Sequence, residues 1–230
     1  MDIPVEDIRQ IPIFTSSSQQ MAACLAKAVT LVTYPRGTLL YEQGSPPTGL
    51  YIIKSGYVTL FRQSQKSSQI LAIVRPTQCL GGESLPSNLP SPYTAKAVST
   101  VQAFYITPSQ LSILLKENPD FLVAFLEIMT SRLRQLAKLV HDLAFRSVAS
   151  RLAGVLLNLA EADGNMTSDG WLVPHILSRK NLAEATGTAR EVVHRILKQF
   201  EQDGLIRQLG QAFIILDPDA LIAIAAEEAR

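Results

Sequence analysis

The stretch Thr186–Gly187–Thr188–Ala189–Arg190–Glu191–Val192–Val193–His194–Arg195–Ile196–Leu197–Lys198 decides how the rest of the chain is read. Gly187 is a turn residue between two helical patterns, the join of a helix-turn-helix. Thr188 stands at a helix start with Glu191 three residues on, the spacing of a capping box. A helix is therefore expected over 188–200. At about 100° per residue, Arg190, Glu191, His194, Arg195 and Lys198 share one face. Val192, Val193, Ile196, Leu197 and Phe200 take the opposite one. One side can pack on a core while the other offers forked donors and a carboxylate. A major groove is read by such groups, because arginine bridges guanine O6 and N7 and glutamate accepts from cytosine N4.

The flanks fit that reading. Upstream, Ser178 caps a helix over 179–185. Downstream, 205–207 and 213–216 read as a β-hairpin turning at Leu209–Gly210, the wing of a winged helix. Asp217 as N-cap with Pro218 at the first helical position opens a last helix. Ahead of the motif, a helix runs through Val148, Leu152, Val155, Leu156 and Leu159, and 162–170 reads as a polar loop.

The N-terminal half has a different period. Ser16–Ser17–Ser18 offers an N-cap for a short helix through Met21, Leu25 and Ala26. From Val29 come short strand-like runs at 29–34, 38–41, 49–53, 57–62, 70–74 and 101–106. They are separated by turn signals such as Pro35–Arg36–Gly37, Gln43–Gly44–Ser45–Pro46–Pro47, Ser55–Gly56 and Gly81–Gly82. Many short strands with Gly/Pro turns predict an antiparallel sandwich or barrel. Pro108 then opens a helix through Leu111 and Leu115, and Asn118–Pro119–Asp120 punctuates before a long helix.

In the long helix Leu122, Leu126, Met129, Leu133, Leu136, Val140 and Leu143 recur at alternating steps of four and three, an a/d heptad pattern. Such a stripe lies either on its own domain's core or against a second copy. A second apolar set, Phe121, Phe125, Ile128 and Leu139, can face the β-domain, which favours a homodimer along the a/d stripe. From 122 to 143 the helix spans roughly 33 Å. The expected fold class is α+β, with an N-terminal antiparallel β-roll over 1–117. A dimerisation helix and hinge follow over 118–145, and a winged helix-turn-helix over 146–230.

Bulk properties bound the reading without deciding it. The chain has 230 residues, 47% hydrophobic and 18% charged, enough for two modest domains. The net charge is only +1, and 146–230 holds nine Lys/Arg against eleven Asp/Glu, so a DNA reading rests on where charge is placed. No apolar run reaches the roughly 18 residues of a membrane span. The acidic start Met1–Asp2–Ile3–Pro4–Val5–Glu6–Asp7 lacks a signal-peptide pattern, so a cytoplasmic location is expected. Cys24 and Cys79 are expected to be free, buried thiols. Three scattered histidines make no metal cluster. Without paired carboxylates, a nucleophile elbow, a P-loop or a metal motif, the chain is not expected to be an enzyme.

The sequence resembles the CRP/FNR family of bacterial transcription regulators along almost its whole length. The β-roll signature is carried by Tyr34–Pro35–Arg36–Gly37, Glu42–Gln43–Gly44, Leu50–Tyr51–Ile52–Ile53 and Ser55–Gly56–Tyr57–Val58, and the Gly-Glu pair by Gly82–Glu83. Leu143–Ala144–Phe145 with Arg151–Leu152 is similar to the hinge and first helix of the DNA-binding domain, and 178–206 to its helix-turn-helix. The resemblance implies a symmetric dimer reading a palindrome in double-stranded DNA, and contact with RNA polymerase near 165–170. It implies TGTGA-like half-sites, with Arg190 and Arg195 as guanine readers and Glu191 as the cytosine-side acceptor. Arg179 and Thr188 match family positions that hold phosphates. Lys180 and Lys198 are nearby cations, and His194 is placed to touch phosphate, base or neither.

The sensor half departs from the family. The cyclic-AMP type holds the phosphate with an Arg-Ser pair shortly after the Gly-Glu. Here 84–95 has no Arg or Lys, and Leu136 and Ala137 stand where adenine-contacting hydroxyls are implied. A buried phosphate without a cation is costly, so cAMP is not expected as effector. The N-terminal cysteine cluster of the iron–sulfur branch is missing. Haem stays open through His141, read first as an ordinary surface residue. A pocket is expected between the β-roll and Leu133, Leu136, Ala137 and Val140, with Gly82, Glu83, Tyr93 and Thr94, the last two at its mouth. It suits an apolar effector or none. Two alternatives stay open: a cAMP-responsive regulator, and a haem or small-molecule sensor acting mainly by protein contact with RNA polymerase.

Overall fold

In the computed structural model, residues 19–65, 67–85, 87–210 and 212–228 are described. The expected N-cap at Ser16–Ser18 lies outside them. The fold is α+β, and the chain forms two compact units that part within one long helix.

Among the described residues, the first unit comprises 19–62 and 72–136. It begins with α1 (Gln19–Ala28), then β1 (Val29–Tyr34), β2 (Leu39–Tyr41), β3 (Leu50–Ser55), β4 (Val58–Gln63), β5 (Ser68–Val74), β6 (Cys79–Gly81), β7 (Thr94–Ala97) and β8 (Val101–Ile106). Next come α2 (Pro108–Glu117) and the long α3 (Pro119–Phe145). The strands form two four-stranded sheets, ordered β1-β8-β3-β6 and β2-β7-β4-β5. In the first, β8 lies between β1 and β3, antiparallel to both.

The core of this unit follows from the two periods. Val29, Leu50, Ile52, Cys79, Phe104 and Ile106 project from the first sheet onto Leu25 of α1, Leu111 and Leu114 of α2, and Phe121, Ala124 and Phe125 of α3. Ile128 packs against the same cluster, and so does Met129, which was expected on the a/d stripe; Leu139, expected to join it, does not. Thr107 caps α2 through a capping box with Gln110, with Pro108 in the first turn. Asn118 ends α2, and α3 starts at once.

Two strands of this unit were not expected. β7 reads Thr-Ala-Lys-Ala, too poor in branched and aromatic residues to signal a strand. β6 is three residues long, and its Gly81, expected in a turn, pairs with Leu50.

Among the described residues, the second unit is drawn from 63–71 and 137–228. After α3 it contains α4 (Val148–Asp163), β9 (Asn165–Thr167), β10 (Gly170–Val173), α5 (Arg179–Thr186), α6 (Arg190–Gln202), β11 (Ile206–Leu209), β12 (Ala212–Ile215) and α7 (Pro218–Ala226). Its sheet runs β11-β12-β10-β9. The expected wing is β11–β12. The expected loop at 162–170 is instead largely the β9–β10 hairpin, whose β9 (Asn165–Thr167) is exposed throughout and so shows no alternation. Ser147 caps α4 and Asp217 caps α7.

One cysteine expectation is corrected. Both thiols are free, but Cys24 is exposed because α1 turns Leu25 and Met21, not Cys24, toward the core.

Candidate nucleic-acid interface

The helix-turn-helix is α5–turn–α6. Ser178 and Asn181 make a capping box at the start of α5, with Asn181 N–H donating to Ser178 Oγ at 3.2 Å. Gly187 ends α5 at φ +63°, a left-handed conformation that glycine adopts at little cost. The Thr188 N–H then donates back to Ala183 O at 3.0 Å.

That bond overturns one expectation. Thr188 belongs to the closing turn of α5, so α6 starts at Arg190 with Ala189 as N-cap, and no side chain caps it. The Thr188–Glu191 capping box does not form, and the helix expected at 188–200 occupies Arg190–Gln202. Glu191 is thereby left on the outer face. Val193, Leu197 and Phe200 are buried, whereas Arg190, Glu191, His194, Arg195 and Lys198 are all exposed.

Arg179 and Lys180 open α5 beside this face. Lys180 is exposed and 3.8 Å from Glu184, a pair too solvated to hold it. Arg179 is tied down: its guanidinium lies 5.1 Å from the Phe213 ring and donates to Gln208 Oε1. Gln208 in turn donates to Glu201 on α6, from Nε2 at 2.8 Å. Burial lowers the Arg179 pKa, opposed by the nearby Glu201 charge. This chain ties the wing to both helices. His175, Ser178, Arg179, Lys180, Arg190 and Phe213 line a notch of about 360 Å³. Sequence reading missed His175, Gln208 and Phe213, because their places are set by a sheet pairing that no local pattern announces.

The residues expected to form an effector pocket do not all converge. Gly82 sits at φ +83°, where a side chain is strained, and a Cβ there would press on Leu111 and Phe125 at 3.1 Å. Tyr93 and Thr94, expected at a mouth, are buried. The Tyr93 hydroxyl donates to Glu83, and Thr94 Oγ1 accepts from Gln43 N–H at 3.0 Å. The Tyr93 ring packs 6.1 Å from Tyr41. Both phenol pKa values are raised, chiefly by burial. Leu133 and Val140 are 67% and 66% exposed, Ala137 is exposed and Leu136 half-buried, so these four line no enclosed cavity within one chain.

The sequence reading of 84–95 also overlooked a cation from elsewhere. Arg132 of α3 donates to Cys79 O at 3.2 Å and to Gln135 Oε1 at 2.9 Å, and its charge acts on Tyr41 and Tyr93. The signal was available in the helical spacing, since Arg132 lies one turn before Leu136.

Comparison with known proteins agrees with this architecture. The family profile described as “Cyclic nucleotide-binding domain” matches 31–118, and the one described as “Crp-like helix-turn-helix domain” matches 150–224. The chain is 30% identical to the global nitrogen regulator of Nostoc sp. over 76% of this chain and 79% of that protein. It is 29% identical to the CRP-like cAMP-activated global transcriptional regulator of Mycobacterium tuberculosis, over 94% of this chain and 97% of that one. The chain belongs to the CRP/FNR family of transcription regulators. The fold also matches the solved structure of FixK2 from Bradyrhizobium japonicum with a TM-score of 0.78, at 19% identity over 87% of this chain and 99% of that one. As a family member with this helix-turn-helix, the protein is a DNA-binding regulator. Among the described residues, no helix is long and apolar enough to cross a membrane.

Proposed function

We propose that the protein acts as a cytoplasmic homodimer that reads a palindromic operator of TGTGA-like half-sites. The observation that carries this reading is the outer face of α6, where Arg190, Glu191 and Arg195 stand exposed with no side-chain cap engaging Glu191. Arg190 and Arg195 bridge guanines, and Glu191 accepts from the cytosine side. Lys180, Lys198, Thr188 and Arg179 serve the phosphates, which fix register without reading sequence. His194 sits between these groups, within reach of either.

The exposed a/d stripe of α3 supports the dimer. Leu122, Leu126, Leu133 and Val140 all stand exposed away from their own core, a line of apolar surface that favours a partner over water. Pairing these stripes gives a twofold axis, which requires half-sites about one helical turn, roughly 34 Å, apart. The exposed segment 165–169, β9 and the turn after it, is the surface offered to RNA polymerase.

The regulating signal is an effector other than cAMP, or none. A cyclic phosphate does not fit the groups present. The 84–95 stretch carries no cation, Tyr93 takes up Glu83, and Arg132 is engaged with Cys79 and Gln135. His141 lies 3.5 Å from Asp142 and against the Phe145 ring, which supports a surface role over haem ligation. Any effector acts by binding two arrangements of the hinge unequally. A gel shift against palindromic TGTGA-N6-TCACA tests the reading. The protein should bind it on the order of 10³-fold or more above scrambled DNA, and equal binding would overturn it.

A further inference from the structure

Arg151, on the first turn of α4, joins two chain segments that no other described side chain joins by hydrogen bonds. Its Nη1 donates to Asp142 O at 3.3 Å, Leu143 O at 3.3 Å and Arg146 O at 3.0 Å. The first two are carbonyls of the last turn of α3; Asp142 O also accepts the Arg146 N–H at 3.1 Å, so Arg151 adds a side-chain donor at that helix end. Its Nε donates to Thr186 O at 2.9 Å, the last residue of α5. Thr186 is buried and its own hydroxyl is spent on Leu182 O at 2.8 Å. The turn also approaches the end of α3 closely: a Cβ built at Gly187 would lie 2.8 Å from Leu143 Cδ2, so the approach leaves no room for a side chain there.

Gly187 and the short turn after it fix where α6 begins. The guanidinium therefore holds the C-terminal end of α3 against the turn that aims α6. Helix C-termini carry partial negative charge, and a planar fork with several donors satisfies two of them together. A lysine ammonium is a point charge on a flexible stem and cannot reproduce that geometry. Arg146 does not duplicate the role. Its side chain bonds to Asp142 at 3.1 Å and to Ala225 O, tying the hinge to α7 and not to the helix-turn-helix.

We propose that Arg151 is a positioning residue that locks α6 to the end of α3 and thereby sets the half-site separation the protein accepts. This rests on the reading of the chain as a dimer joined along α3. If the long helices pair, each α6 is referred to the dimer axis through α3, and the lock fixes the distance between the two. Without it each α6 still reads its half-site, but the distance loosens.

The test is fluorescence anisotropy of full-length wild type, Arg151→Met and Arg151→Lys. The duplexes are the six-base-pair-spaced palindrome, versions one base pair shorter and longer, and a scrambled duplex. Wild type should prefer the six-pair spacing by about tenfold or more. Both variants should flatten that preference to about twofold, while binding scrambled DNA as wild type does. If Arg151→Met fails to give a cooperative melt, Arg151→Lys carries the comparison. Variants that keep the wild-type spacing preference, including any that lose affinity equally for every duplex, would show a merely structural role and overturn the proposal. A wild type that treats the palindrome like scrambled DNA would overturn the operator reading and this proposal with it.

Discussion

The Tyr93 hydroxyl donates its hydrogen to the Glu83 carboxylate, so two residues expected to face an effector serve as each other's partners. Both come from segments flanking the 84–92 stretch, and Tyr41 packs against the pair from β2. The bond is formed by the chain itself and needs no ligand. Tyr93→Phe removes the donor beside a half-buried carboxylate and should cost about 1.5–3 kcal/mol of stability, read by urea unfolding. Adding cAMP should change neither the melting temperature nor the operator affinity of wild type. A cAMP-dependent rise in either would contradict the account of the pocket.

The two apolar faces of α3 should respond oppositely to mutation. Phe121 is fully buried in the first unit, and Phe121→Ala should destabilise by about 3–5 kcal/mol. Leu133 has little of its own chain around it, so Leu133→Asp should leave secondary structure intact. It should convert the dimer to a monomer in sedimentation velocity. If Leu133→Asp sediments as wild type does, the stripe is not the interface.

Alkaline stability should carry the signature of Cys79. Burial pushes its thiol up from 9.0 to about 12. The unfolded chain thus releases this proton first, near pH 9, while the native chain holds it. The thiol's stabilising contribution is fully present below about pH 9 and is lost as pH rises toward 12. Buried Tyr41 and Tyr93 add to the same decline, so the comparison is between wild type and Cys79→Ala. The variant should lose stability less steeply between those limits, the difference approaching about 1.4 kcal/mol per pH unit. A thiol reagent should label exposed Cys24 in the native protein and Cys79 only on unfolding.

Much of this was legible in the chain because it is written in local patterns. Gly187, the Ser178 cap, the Asp217–Pro218 start and the period of Val193, Leu197 and Phe200 place the C-terminal helices within a residue or two. The same holds for β1 and β8, runs rich in β-branched and aromatic residues that the structure places at the expected residues. What was not legible depends on partners distant in sequence. β7 is a strand because β2 and β4 flank it, not because Thr-Ala-Lys-Ala favours one. Thr188 misled because its backbone closes α5 before its side chain can cap α6. Tyr93 and Thr94 were placed at a mouth because their polarity suggests exposure, yet each finds a partner inside, Glu83 and the Gln43 amide. Arg132 escaped notice because it reaches the sensor cluster from α3.

The central claim is that the outer face of α6 reads base sequence. The most direct test measures binding of wild type, Arg190→Ala and Arg195→Ala to the TGTGA-N6-TCACA duplex, to versions with each guanine replaced, and to scrambled DNA at one fixed salt concentration. Each substitution should cost about 1–3 kcal/mol on the intact palindrome. It should cost almost nothing on the duplex that lacks its own guanine, and little on scrambled DNA. Equal losses on every duplex would make these arginines phosphate contacts and contradict the account.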